Sequence, residues 1–446
     1  MEIIGVIGIF LAIIAIIYLS VRGLNIVIAA PLATLIVILT NQMDIFGSLI
    51  GDAPSYMTGL AGFLIKNFAI FLLGAVLAQY MEKSNATVSI ANWVLAKVGL
   101  DNPFIVLVAF AGIAAILTYG GISLFVVMFA LVPLARPIFK KLNVNWSLLP
   151  IPLFLGMATV TMSMLPGTPS VQNAVPTTYL GTTLTAAPVL SMIGVITVVA
   201  FGLTYLKFQL NRSLAKGETF YSYLGEGESV GEEADLDAET DEENIPPILL
   251  AILPLVTLVA IILIFSDVPN IILIALTVGI LLSAFLYRKY LPKQTSLLND
   301  GANSAVPSAF ATSSSVAFGS VLTSAPGFSV VQDAIMSIPG NPLIGLSVAT
   351  ALLGGITGSS SGALGIVMQN FAPTYLEMGI APELIHRIAV VASAVITVVP
   401  HSGVTITFNN LTGLSLKNAF MHQFIMVNGG HLLALIAMLI ASTILY

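Results

Sequence analysis

The chain has 446 residues, of which 57% are hydrophobic and only 8% charged. A soluble protein of this length needs far more charge to cover its surface, so a soluble globular domain is excluded. The net charge of −6 belongs to one stretch, because eleven of the 21 acidic residues lie between Glu218 and Glu243; cysteine is absent, which excludes a disulfide framework and thiolate chemistry.

The first apolar run covers residues 3–19 and is preceded by Glu2 rather than by a basic stretch. It reads as a retained helix, not a cleaved signal peptide. Apolar runs recur at 104–117 and 247–265 and elsewhere. A run near 20 residues matches the roughly 30 Å apolar core of a bilayer, and the chain has enough for about ten crossings. The expected fold is an all-α polytopic membrane protein. A first membrane unit spans 1–206, with a helical hairpin at about 104–138 and a broken helix at about 148–180. Residues 207–246 form an acidic linker with little to bury, which reads as a solvated tether. A second unit spans 247–446, with a hairpin at about 341–376 and a broken helix at about 384–412.

Lys and Arg residues orient these elements, because short cytoplasmic loops carry their excess. With the N-terminus outside, Arg22, Lys83, Lys97, Arg136, Lys140, Lys141, Lys207, Arg212, Lys216, Arg288, Lys289, Lys293 and Lys417 fall inside. Only Lys66 and Arg387 fall outside. The tally holds only if both Gly-broken segments dip into the membrane and return. Both termini are then extracytoplasmic, the linker is cytoplasmic, and the two units have opposite orientations, in the plasma (inner) membrane.

An internal repeat supports that reading. Gly120-Gly121-Ile122 precedes Pro166 by 46 residues, and Gly354-Gly355-Ile356 precedes Pro400 by 46, an offset of 234 between the units at both places. Thr168 and Ser402 share the offset. Inverted repeats are a design of secondary carriers, whose sites lie near the bilayer midplane at interrupted helices.

Four such segments stand out: 118–124 with Gly120, Gly121 and Ser123; 164–173 with Thr168, Ser170, Gln172 and Asn173; 354–362 with Thr357, Ser359, Ser360 and Ser361; and 399–410 with His401, Ser402, Thr405, Thr407 and Asn409. Broken backbone at membrane depth is tolerated only where protein buries it or it lines a water-filled cavity. Half-helix N-termini offer N–H groups to an anion, and freed carbonyls can face a cation. The plainer reading of the Gly-rich runs is close helix packing. The run Thr312–Ser315 lacks a counterpart and reads as packing. No carboxylate lies mid-span and no buried Arg is evident, so neutral donors and dipoles are expected to hold an anion. His401 is the one titratable group in a break, and imidazole titrates near neutral pH, so it is the candidate for proton coupling. His386, His422 and His431 lie nearer segment ends and read as structural. No catalytic constellation, nucleotide motif, metal cluster or cofactor motif is visible, and no nucleic-acid partner is implied.

At residues 164–176 (MLPGTPSVQNAVP), with Gly120-Gly121-Ile-Ser and the run 357–365 (TGSSSGALG), the chain resembles the gluconate permease family of gluconate:proton symporters, within the ion transporter superfamily. The resemblance implies a symporter importing gluconate or a short hydroxy-monocarboxylate with protons. It also implies a homodimer of scaffold and transport domains working as an elevator. The family typically looks to have His-Pro-Gly where this chain has Gly167-Thr168-Pro169, which leaves lactate or 3-hydroxybutyrate as open as gluconate. Sodium coupling, and a passive organic-anion facilitator or channel, are the alternatives.

Overall fold

The computed structural model describes residues 2–99, 102–119, 124–168, 170–224, 244–265, 268, 270–291, 293–338 and 341–445. Every regular element among them is helical. Six helices are long and apolar enough to cross a membrane, and five shorter apolar helices accompany them. With no water in the hydrocarbon to satisfy the backbone, helices are the form such segments must take. The chain is a multi-pass membrane protein.

Elements recur in the same order in the two units. Each begins with two apolar helices, Glu2–Val21 and Ile26–Thr40 in the first, Ile248–Ile264 and Ile271–Leu286 in the second. A long helix follows, Tyr56–Lys83 or Gln294–Ser324, then a shorter one, Ala86–Val98 or Pro326–Met336. Next comes a helical hairpin: Pro103–Tyr119 with Leu124–Leu142, or Pro342–Thr357 with Ser360–Asn370 and Ala372–Glu377. Each unit then carries a broken helix. In the first, residues 146–164 end at a break before Val171–Leu180; in the second, Pro382–Ala392 ends before Gly403–Thr412. A last long helix closes each unit, Pro188–Ala215 in the first and residues 416–445 in the second.

Packing between the units is reciprocal. The two long helices, Tyr56–Lys83 and Gln294–Ser324, run along each other, as do the closing helices. Glu2–Val21 packs on Pro326–Met336, and its counterpart Ile248–Ile264 packs on Ala86–Val98. The half-helix Val171–Leu180 packs on the second hairpin's Ser360–Asn370, and the half-helix Gly403–Thr412 on the first hairpin's Leu124–Leu142.

Most of the acidic linker, with ten of its eleven acidic residues, lies at 225–243, outside the described residues. Arg387, which the charge tally counts on the outside, lies on Pro382–Ala392 and is fully buried. That whole helix is buried from Leu384 to Ala392, so its one guanidinium has no solvent to reach.

Candidate functional site

The first break follows an unusual stretch. Residues Leu155–Met164 are wound as a π-helix, a form often found at functional sites. Pro166 then ends the helix, and Gly167 takes a φ of +79°, which L side chains rarely adopt. The break's own hydroxyls satisfy the carbonyls this exposes. Thr168 Oγ1 donates to the Thr161 carbonyl at 2.7 Å, and Ser170 Oγ to the Met162 carbonyl at 2.6 Å. Ser170 also caps the half-helix Val171–Leu180, accepting from the Asn173 N–H at 3.1 Å.

Asn173 is fully buried and turns its amide nitrogen to the carbonyls of Thr168 (2.9 Å) and Leu184 (2.8 Å). Its Oδ1 therefore accepts from His386 Nε2 at 3.0 Å. That fixes His386 as the Nε2–H tautomer, with Nδ1 accepting from the Thr182 hydroxyl at 2.7 Å. Arg387 beside it donates Nε to the Ala186 carbonyl (3.1 Å), one terminal nitrogen to Ser163 (3.0 Å) and the other to Leu184 (3.1 Å). Arg387, from the second unit, thus holds the backbone on both sides of the first break, and His386 reaches it only through the Asn173 and Thr182 side chains. The expectation of no buried arginine is corrected: fork geometry lets one guanidinium serve three carbonyls, which offsets the loss of water.

The second break, residues 393–402, is held by Asn428 on the closing helix. Asn428 Oδ1 accepts from Val398 N–H at 3.0 Å and its Nδ2 donates to the Val398 carbonyl at 2.9 Å. Ser402 caps Gly403–Thr412, accepting from Thr405 N–H at 3.3 Å, and its hydroxyl meets that of Thr405 at 2.8 Å. From the long helix Gln294–Ser324, the Ser315 hydroxyl donates to the His401 carbonyl. Thr312 Oγ1 reaches the Gly403 carbonyl (3.4 Å) and Thr407 Oγ1 (3.3 Å). The run Thr312–Ser315, read from sequence as helix packing, does pack, and two of its hydroxyls also bond the break. His401 is fully buried, and neither ring nitrogen has a hydrogen-bond partner. The Gly355 and Ile356 carbonyls face the ring without reaching bonding geometry, and Phe318 meets it edge-on at 6.2 Å.

The tip of the second hairpin lies between the breaks. Ser359 caps Ser360–Asn370, accepting from Gly362 N–H at 3.2 Å, and its hydroxyl lies 3.3 Å from that of Ser361. Thr357 Oγ1 bonds the carbonyls of Leu353 (2.8 Å) and Ser359 (3.0 Å). Toward the first break, Gln172 Nε2 donates to Ser360 Oγ at 3.0 Å. Toward the second, Gly358 turns with φ +58°, and a Cβ there would stand 3.1 Å from Ser402 Cα.

No family model matches the chain. It is 30% identical over 454 residues to the Bacillus subtilis (strain 168) protein named uncharacterized transporter YxjC, across 93% of this chain and 94% of that one. This chain belongs to that transporter's family. A solved structure of Neisseria gonorrhoeae MtrF, described as illuminating a class of antimetabolite efflux pumps, matches with TM-score 0.37 and 13% identity. It covers 87% of this chain and 83% of that one, and a score so low carries no argument here.

In this member of the transporter family, three of the four expected segments meet. Residues 170–173 meet 357–361 where Gln172 bonds Ser360, and 357–361 meet 401–407 where Gly358 lies against Ser402, which makes a polar seam among apolar helices. Gly120, Gly121 and Ser123 lie outside the described residues. Asn409 faces away from the seam, its Oδ1 accepting from Gln423 at 2.9 Å. No group of three His, Asp or Glu side chains placed to hold a metal occurs among the described residues. Sequence reasoning missed Asn428, Arg387, Thr312 and Ser315. The isolated Asn in the closing apolar run and the lone Arg in residues 382–392 were the available signals.

Proposed function

We propose that this transporter is a symporter that imports a small organic anion, gluconate or a short hydroxy-monocarboxylate, coupled to protons. The observation that carries the reading is the polar seam. Three helices begin there, each with a serine cap, at Val171, Ser360 and Gly403. N-terminal N–H groups and hydroxyls converging in an apolar surround favour an anion and need no fixed positive charge. No carboxylate lies in the seam to repel one. His401, buried and unpartnered at the second break, is the group proposed to take the coupling proton.

The reciprocal packing and the charge tally together support two inverted repeats in the plasma membrane, with both termini outside and the linker in the cytoplasm. An elevator movement of hairpins and broken helices against the two long helices, in a homodimer, follows from the resemblance to gluconate permeases and is part of the same proposal.

Purified protein in proteoliposomes, offered a panel of hydroxy-acids under separate pH and sodium gradients, tests this. Accumulation driven by an inward proton gradient is expected. The His401→Gln protein should keep downhill exchange and lose proton-driven accumulation. Accumulation that follows sodium alone, or that survives intact in His401→Gln, overturns the proton reading. Flux without accumulation makes the chain a facilitator.

A further inference from the structure

Lys66 lies within the apolar part of the first long helix, Tyr56–Lys83, which is 28 residues long. It sits ten residues, about 15 Å, past the helix start and seventeen, about 25 Å, before Lys83, which the charge tally places in the cytoplasm. Lys66 is therefore in the outer half of the span. Its side chain is exposed, and no hydrogen bond or ion pair engages it among the described residues. A charge facing lipid at such a depth is costly, so lysines within a span almost always face water or an opposite charge, and they mark substrate pathways.

The second unit shows what covers the equivalent face. Gly74-Ala-Val-Leu on the first long helix matches Gly319-Ser-Val-Leu on the second, Gln294–Ser324, at an offset of 245. Each glycine lets its own unit's hairpin approach: a Cβ would stand 3.0 Å from Phe129 at Gly74 and 3.1 Å from Thr357 at Gly319. The match sets Lys66 against Ala311, and residues 66–70 against 311–315. Residues 311–315 are all buried, and Thr312 and Ser315 bond the second break, which lies on them. In 66–70, Lys66 and Ala69 are exposed and the others half-buried. The half-helix Val171–Leu180 packs instead on Ser360–Asn370 and Pro382–Ala392. Inverted repeats alternate access by one moving against the other around a shared site. The uncovered stretch 66–70 is thus the surface that the first break meets when the two units exchange arrangements.

We propose that Lys66 is the fixed charge that selects the substrate's carboxylate on the outer side of the seam. No Asp or Glu pairs with it among the described residues, so the partner it lacks is an anion from solution. The seam's N–H groups and hydroxyls hold the anion once it arrives, and Lys66 determines that an acid rather than a neutral polyol is drawn there. The proposal rests on the anion-symport and inverted-repeat readings, and adds to them a specificity-determining residue outside the seam.

Lys66→Cys in the full chain, which has no native cysteine, tests the placement without transport. In intact cells a membrane-impermeant maleimide should label it from the outside. Labelling should slow severalfold in gluconate, lactate or 3-hydroxybutyrate, and should not slow in glycerol. Should Lys66→Cys not fold, Ala69→Cys, one turn along the same exposed face, carries the labelling test. Labelling by a membrane-permeant maleimide alone puts the residue against lipid and overturns the proposal, as does labelling that none of the three acids slows. Uptake gives the second readout. Lys66→Met should raise KM for the transported acid about tenfold or more, and Lys66→Arg should keep it near the native value. A cationic methanethiosulfonate attached to Lys66→Cys should restore uptake, and an anionic one should not. An unchanged KM in Lys66→Met overturns the proposal. Failure of the symport reading shows separately, as absent proton-driven accumulation by the native chain with the anion's effect on labelling intact.

Discussion

Asn428 returns to Val398 both of the backbone bonds that an interrupted helix cannot supply. Asn428→Ala should leave a buried N–H and a buried carbonyl unpaired, at about 1–3 kcal/mol each. A lower thermal midpoint in detergent is the expected reading. Arg387 poses the same question with charge added. Lys in its place keeps the charge but cannot fork to the Ser163, Leu184 and Ala186 carbonyls. Arg387→Lys should therefore destabilise the transporter by about 2 kcal/mol or more, as if bonds were lost with the charge retained. A neutral response to that substitution would mean the three carbonyls are not what the guanidinium serves. His401 was legible in the sequence, being the one titratable group in a Pro/Gly break. Asn428 and Arg387 were not, because each acts on backbone at least 30 residues away or in the other unit.

The hairpins and broken helices depend on close backbone approach at particular glycines. A Cβ on Gly156 would stand 2.2 Å from the Ala111 carbonyl oxygen, and one on Gly354 2.3 Å from that of Ser393. Backbone oxygens cannot rotate away. Gly156→Ala and Gly354→Ala should each separate a hairpin from its broken helix and cost about 1–3 kcal/mol. Gly62, in the long helix Tyr56–Lys83, has nothing within 4 Å of its Cβ position, and Gly62→Ala should be neutral within the same melting assay. The 46-residue spacing shared by the units exposed the hairpins and breaks before any packing was known. It did not distinguish a glycine that lines a site from one that lets helices touch. At Gly354 close packing is the observed role, while Gly358 both turns the hairpin tip and brings it against Ser402.

For the molecule as a whole, one loop offers a pH test outside the membrane. Glu218 accepts from the Ser213 hydroxyl at 2.7 Å and Asn145 Nδ2 at 2.9 Å, and it pairs with Lys216 at 3.5 Å. Partial burial pushes its carboxyl up, but those bonds and the Lys216 charge outweigh it and hold the group below its ordinary 4.5. A lowered folded value contributes stability that is present above pH 4.5 and lost as pH falls through the folded value. The midpoint difference between the native chain and Glu218→Gln should shrink as pH drops through that window. The proposed opposed orientation of the units is checked by single cysteines at the two termini and in the linker of this cysteine-free chain: the first two should react from the outside and the third from the cytoplasm.

Composition alone required a polytopic helical membrane protein, because 8% charge cannot cover a soluble surface of this length. The spacing of Gly-Gly-Ile and Pro motifs pointed to helix interruptions at Pro166 and Pro400, because helix interruption is a local property of the residues concerned. How the breaks are held was a matter of contact across the chain. Residues 386–387 grip the first break from the second unit, Thr312 and Ser315 bond the second from a helix some 90 positions away, and Gln172 meets Ser360 across 188 positions. Nothing in periodicity or composition encodes such pairs. A buried polar group must find its partner wherever folding brings one, and that His401 finds none is visible only once every neighbour is in place.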